Sequence, residues 1–200
     1  MERRGKMSKP GFRKGNVMLV LAGVVLLALE LVVNVGSIKV DLFNDIAAYV
    51  LIIIGLMGMA GRSNVFRKNR GVAVGGLFAA LFTQLVYCLD MGEYQFSGEL
   101  FARGICTILY IYVTYYFMEG VALEAKMQGK TAVSQNFRVT WIVFGVLVFA
   151  YYVVLNLDVP SVVEIVVQAV MVICAVYYCV VMAGACNQLY MEGQPPRSDR

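Results

Sequence analysis

The chain has 200 residues, of which 60% are apolar and 15% charged, with a formal net charge of +4 and a mean hydropathy of +0.72. Soluble domains carry about 25% charged residues, so this composition excludes an ordinary soluble fold and makes the bilayer the solvent for much of the surface. Histidine is absent, and the five cysteines (Cys88, Cys106, Cys174, Cys179 and Cys186) form no C-x-x-C pair. The commonest general base and the usual zinc and iron–sulfur signatures are therefore missing.

Apolar stretches of roughly 18 or more residues read as membrane-spanning helices. Six such runs predict spans at 17–36, 45–61, 72–90, 101–122, 139–157 and 161–186. The expected fold class is all-α: a polytopic integral membrane protein built as a compact bundle of six transmembrane helices. The runs are continuous rather than alternating, so the strands of an outer-membrane barrel are not expected. Residues 1–15 read as a basic cytoplasmic tail, 16–187 as the transmembrane domain and 188–200 as a short cytoplasmic tail. The last of these carries Gly193, Pro195, Pro196 and Ser198.

The first run follows Arg3, Arg4, Lys6, Lys9, Arg13 and Lys14, a pattern that also fits a secretory signal. Its apolar core is longer than a typical signal core, and Val33-Asn34-Val35-Gly36 is a poor cleavage site, so it reads as a retained helix. The second run is short and carries Gly55, Gly58 and Gly61; the third carries Gly71, Gly75, Ala79 and Ala80. Small residues at helical spacing let backbones approach in lipid. They predict a tight hairpin of spans two and three, with a dimer or partner interface as the alternative. The fourth run contains Arg103 and a cluster of Tyr110, Tyr112, Tyr115 and Tyr116, and is expected to continue through 122–126 until Gly129 stops it. The tight connection Leu157-Asp158-Val159-Pro160 makes spans five and six an antiparallel hairpin, with Pro160 near the first turn of the sixth.

Orientation follows from the loops. Beside the basic N-terminal stretch, one set carries Arg62, Arg67, Lys68, Arg70, Lys126, Lys130 and Arg138. The other set carries Asp41, Asp45, Asp90, Glu93, Glu99 and Asp158, with Lys39 as its basic residue outside the spans. The Lys/Arg excess marks the cytoplasmic side, so both termini are expected there, in a multi-pass protein of a bacterial-type inner membrane. The basic N-terminus reads as a partner for anionic lipid headgroups rather than for nucleic acid.

Charged groups inside a bilayer cost about 2.5–3.5 kcal/mol each on insertion scales. Glu30, Asn34 (one turn above it on the same helix face), Gln84, Arg103, Glu164 and Gln168 share a depth in the outer half of the predicted spans, and Tyr110 lies near mid-span. In a structural reading Glu30 pairs with Arg103, the glutamines bond across helices and Glu164 reaches the headgroups; such a pair fixes register more than it stabilises. In a functional reading these groups line an outward-facing pocket. Arg103 then binds an anionic group, Glu30 or Glu164 a cationic one, the glutamines orient the solute, and the tyrosines supply a wall. A third reading gives Glu30 to a proton or ion path.

No Walker motif, nucleotide fingerprint or G-x-S-x-G is present. The chain is expected to be no enzyme and to need no cofactor and no metal. The leading expectation is a membrane protein for solute recognition or transport. The alternative is a non-catalytic sensor or accessory subunit that docks a larger partner. Expected partners are the lipid bilayer, a small polar solute, and a second copy or a larger membrane protein. Gly55, Gly58, Gly75 and Ala79 are the residues expected to serve helix packing.

Overall fold

A computed structural model of the chain describes residues 14–29, 32–35, 38–41, 45–61, 63–89, 94–157 and 160–189. They form six helices and one small hairpin: α1 (Lys14–Ala28), β1 (Val32–Val35), β2 (Ile38–Asp41), α2 (Asp45–Met59), α3 (Asn64–Cys88), α4 (Gln95–Met127), α5 (Thr131–Leu155) and α6 (Ser161–Gln188). Each helix packs on its neighbour in the chain, α6 returns to α1, and α4 also touches α1 across the middle. The result is a closed ring of alternating helices. Lys14 and Gln188 lie at the same end as the basic connections, here called the basic end; the β hairpin marks the other, the hairpin end.

Four helices, Asn64–Cys88, Gln95–Met127, Thr131–Val154 and Val162–Gln188, are long and apolar enough to cross a membrane. Their outward faces hold exposed Phe78 and Phe82 on α3, Ile142, Val146 and Phe149 on α5, and Ile165, Ile173 and Val180 on α6. So broad an apolar surface is matched by lipid and not by water, which marks the chain as a membrane protein. α1 and α2 are different. Each has 15 residues, about 22 Å at 1.5 Å per residue, less than the roughly 30 Å hydrocarbon core.

The shortening of the first run corrects the sequence reading. A helix was expected to continue to residue 36, but α1 ends at Ala28, where the Leu29 N–H bonds the Leu26 carbonyl at 3.1 Å and tightens the last turn. Val32 to Val35 then pairs antiparallel with Ile38 to Asp41, Asn34 opposite Lys39. Val32, Val33, Val35, Ile38 and Val40 are β-branched and prefer a pleated strand. Asn34 is therefore not one helical turn above Glu30. Glu30 itself lies outside the described residues.

Of the longer helices, α3, α4 and α5 also start earlier than their apolar cores, whereas α6 starts at Ser161 as expected. α3 includes Arg67, Lys68 and Arg70 in its first turns, because straight-chain basic residues are good helix formers and Ser63 caps the helix, accepting from the Phe66 N–H at 3.3 Å. α4 runs 33 residues, from Gln95. It ends in a Schellman motif: Lys130 N–H bonds the Ala125 carbonyl at 2.9 Å, and Gly129 N–H the Lys126 carbonyl at 3.0 Å. Gly129 sits at φ 76, a conformation that favours glycine.

Close helix approaches are made at glycines, each filled by a neighbouring helix. A Cβ on Gly58 would lie 2.1 Å from Asn16 Nδ2, and one on Gly55 2.5 Å from the Asn16 carbonyl, so both face α1. The α2–α3 contact is made instead at Gly76, which receives the ring of Tyr49. Gly75 meets only Leu109 of α4, at 3.9 Å, and Ala79 is buried.

The core beneath these contacts is aromatic on the α4–α5–α6 side. Phe144 packs edge-on to Tyr110 and stacks on Tyr178 at 4.8 Å. Thr114 is the polar centre of this layer: its carbonyl accepts from Tyr178 Oη at 3.0 Å, and its hydroxyl from Trp141 Nε1 at 3.3 Å.

Candidate functional site

Every helix of the ring contributes to one cavity of about 90 Å³ at the hairpin end. Two helices line it with a repeating polar face. On α3, Ala80, Thr83, Gln84 and Tyr87 follow the i, i+3, i+4, i+7 spacing that puts side chains on one stripe. On α4, Arg103, Cys106, Thr107 and Tyr110 repeat the same spacing. The first two turns of α2 add Asp45, Ile46 and Tyr49; the last turn of α1 adds Leu27 and Ala28. Val148, Tyr151 and Tyr152 of α5 and Met171 of α6 complete the wall.

The hydrogen bonds order these groups. Arg103 Nε donates to Tyr87 Oη at 3.2 Å, tying α4 to α3. Tyr110 Oη donates to the Val24 carbonyl at 3.0 Å, tying α4 to α1. The Thr83 hydroxyl donates to the Ala79 carbonyl at 2.9 Å, and that of Thr107 to the Arg103 carbonyl at 2.9 Å. With their protons committed to the helix, both hydroxyls offer only lone pairs to anything else. Thr83 Oγ1 is also 3.3 Å from Cys106 Sγ, which must then be the donor. Tyr152 reaches across to α4, its hydroxyl 2.9 Å from where a Cβ on Gly104 would lie.

Tyr49 has 0% relative exposure, and its hydroxyl has no hydrogen-bond partner among the described residues; the side-chain amide of fully buried Asn69 on α3, away from the cavity lining, is in the same condition. A buried hydroxyl without a partner costs about 1–3 kcal/mol. The ring is held by the notch at Gly76, so the hydroxyl cannot swing out to water at the lipid face.

Of the residues singled out from the sequence, the structure brings Gln84, Arg103 and Tyr110 to this cavity. Gln84 is half-buried and its Nε2 donates weakly to Cys88 Sγ at 3.7 Å. Glu164 and Gln168 are half-buried on α6 and are not among the lining residues, where Met171 represents that helix. Sequence reasoning missed Asp45, Tyr49, Thr83, Tyr87 and Thr107 as a group. The signal was present: polar residues three and four apart on two otherwise apolar helices.

The described residues contain no cluster of three or more Cys, Asp or Glu placed to hold a metal ion. The hydroxyls, the guanidinium and the carboxylate suit hydrogen-bonded recognition of a small polar molecule. Comparison with family models, curated proteins and solved structures gives no match to this chain.

Proposed function

We propose that this chain recognises or transports a small polar solute at the hairpin-end cavity. The observation that carries the reading is the gathering of Arg103, Asp45, Thr83, Gln84 and Thr107 around one cavity of an otherwise apolar bundle. A membrane bundle serving only as a scaffold has no need to gather these groups from α2, α3 and α4.

The same reading orients the protein. Lys14, Arg67, Lys68, Arg70, Lys126, Lys130 and Arg138 all belong to the basic end, so by the positive-inside rule that end is cytoplasmic and the cavity lies in the outer half of an inner membrane. α1 and α2 are short but are joined through the hairpin, so they enter and leave together and both termini stay on one side. The docking alternative loses support at Gly55 and Gly58, whose notches are filled by Asn16 and Val20 of the same chain.

The test is thermal unfolding of the purified protein in detergent against a library of polar metabolites, wild type beside Arg103→Gln. A ligand that binds only the native state raises the melting temperature by mass action. A stabilising solute that loses its effect in the folded variant supports the site. A library without a hit, together with a variant that is merely less stable, makes the polar cluster structural.

A further inference from the structure

Resting on that reading, we infer that the cavity takes a neutral, planar heteroaromatic ring with N–H and C=O groups on one edge, the chemistry of a nucleobase. The first argument is the composition of the wall. Tyrosine supplies five of the 17 lining residues but only 12 of the chain's 200, so the cavity is an aromatic chamber rather than an average piece of core. Tyr49, Tyr87 and Tyr110 are buried behind its surface, whereas Tyr151 and Tyr152 of α5 are half-buried and meet the open space. Aromatic rings gain from stacking beyond the area they bury. A flat π-system therefore draws more from this wall than an aliphatic solute of the same size.

The second argument is the sidedness of the accessible wall. On α3 and α4 the half-buried lining residues are Gln84, Arg103, Cys106 and Thr107. On α1 and α5 they are Leu27, Tyr151 and Tyr152, and α2 supplies one of each kind, Asp45 and Ile46. A polyol carries hydroxyls around its whole rim, and those turned to the apolar side lose water without gaining a partner. A ring with polar groups on one edge matches a two-sided wall. Arg103 and Asp45 are both engaged within the protein, so the wall asks for no charge on the solute.

The third argument is that two accessible groups have hydrogen-bonding capacity left. The Thr107 hydroxyl spends its proton on the Arg103 carbonyl at 2.9 Å and keeps lone pairs to accept an N–H. Tyr152 is bonded among the described residues at its backbone carbonyl, from Asn156 Nδ2, which leaves its hydroxyl able to donate. That hydroxyl lies 2.9 Å from where a Cβ on Gly104 would stand, and Gly104 is three residues before Thr107 on α4. Residues so spaced are neighbours on one helix face, roughly 5–6 Å apart. The acceptor and the donor are therefore about one turn from each other. A ring N–H meets Thr107, a ring C=O accepts from Tyr152, and Tyr151 stacks on the plane between them.

The experiment uses the full chain in detergent or nanodiscs, with uracil, 5,6-dihydrouracil and pyrimidine as probes. Dihydrouracil keeps the N–H and C=O groups but loses the aromatic ring, and pyrimidine keeps the ring but loses those groups. Calorimetry should show wild type binding uracil about tenfold more tightly than either, the scale of one base–aromatic stack or of two net hydrogen bonds. Tyr151→Leu should bring uracil down to the level of dihydrouracil and leave dihydrouracil little changed. Tyr152→Phe and Thr107→Val should each weaken uracil and dihydrouracil by about two- to tenfold and spare pyrimidine. Variants that weaken all three probes by the same factor mark these side chains as structural, and that result overturns the inference. So does dihydrouracil, or a polyol such as erythritol, that matches uracil on wild type. Another polar solute that stabilises wild type while uracil does not bind keeps the cavity as a site and sinks the ring. Heat from none of these probes, and no shift across the metabolite library, removes the site itself.

Discussion

Replacing Gly76 by alanine sets two effects of known sign against each other. In a helix interior, Gly→Ala gains about 0.8–1.0 kcal/mol of propensity. At Gly76 the new Cβ would stand 2.1 Å from Tyr49 Cε1 and 2.4 Å from Cζ, where carbon atoms normally rest about 3.5–4.0 Å apart. The ring must retreat by more than an ångström, and it is fully buried between α2 and α3. Overpacking of this kind costs about 1–3 kcal/mol, so the net expectation is a loss of about 1 kcal/mol or more. Gly71, five residues earlier on the same helix, has nothing within 4 Å of an added Cβ; its alanine variant should gain up to about 1 kcal/mol. Equilibrium unfolding in mixed micelles would read both, with Gly71→Ala as the internal control. Tyr49→Leu in the Gly76→Ala background should recover part of the loss, giving a coupling of at least about 0.5 kcal/mol in a double-mutant cycle. Equal stability of the two alanine variants would refute the seating of Tyr49 on α3, and with it the wall that Tyr49 gives the cavity.

Other substitutions test the packing elsewhere. Gly58→Leu should abolish folding through its clash with Asn16, whereas Gly75→Leu, which faces only Leu109 at 3.9 Å, should still yield folded protein; gel filtration and melting would separate them. Tyr178→Phe removes a buried bond to the Thr114 carbonyl and should cost about 0.5–1.5 kcal/mol in unfolding experiments. Arg138→Gln breaks the 2.9 Å pair with Glu119, whose side chains are 57% and 28% exposed, and should cost less than about 1 kcal/mol, fading with added salt. Cys88 is exposed while Cys179 and Cys186 are buried, so a hydrophilic thiol reagent should modify the first in the native protein and the other two only after denaturation.

The long helices were legible because apolar length is a strong signal, and α5 and α6 carry it without interruption. The starts of α3, α4 and α5 were less legible. Hydropathy marks where lipid begins, whereas helix formation depends on caps and propensity, so Arg67, Lys68 and Arg70 are helical although polar. The end of α1 was misread for a related reason: Val32, Val33 and Val35 are as apolar as a span, and hydropathy does not distinguish a β-branched strand from a helix. Half of the alternation sits in Asn34 and Lys39, with Gly36-Ser37 between two short β-branched runs, a recognisable hairpin pattern. At the site, Gln84, Arg103 and Tyr110 stood out as polar residues in apolar runs. Asp45 was assigned to a loop, and Tyr49 and Thr83 look unremarkable one at a time. What joins them is the neighbour order of the ring, which depends on the notches at Gly23, Gly55, Gly76 and Gly120 and is not written in any one segment.

The central claim is a solute cavity opening at the hairpin end on the outer side of the membrane. Cys106 lies on the cavity wall and is partly exposed, so it reports on that claim directly. With Cys106 as the sole remaining cysteine, sealed right-side-out vesicles would be treated with a membrane-impermeant thiol reagent. The account predicts modification from the outside, slowed at saturating concentration by a polar solute that raises the melting temperature. Modification only from the cytoplasmic side, or only after the protein is unfolded, would contradict it.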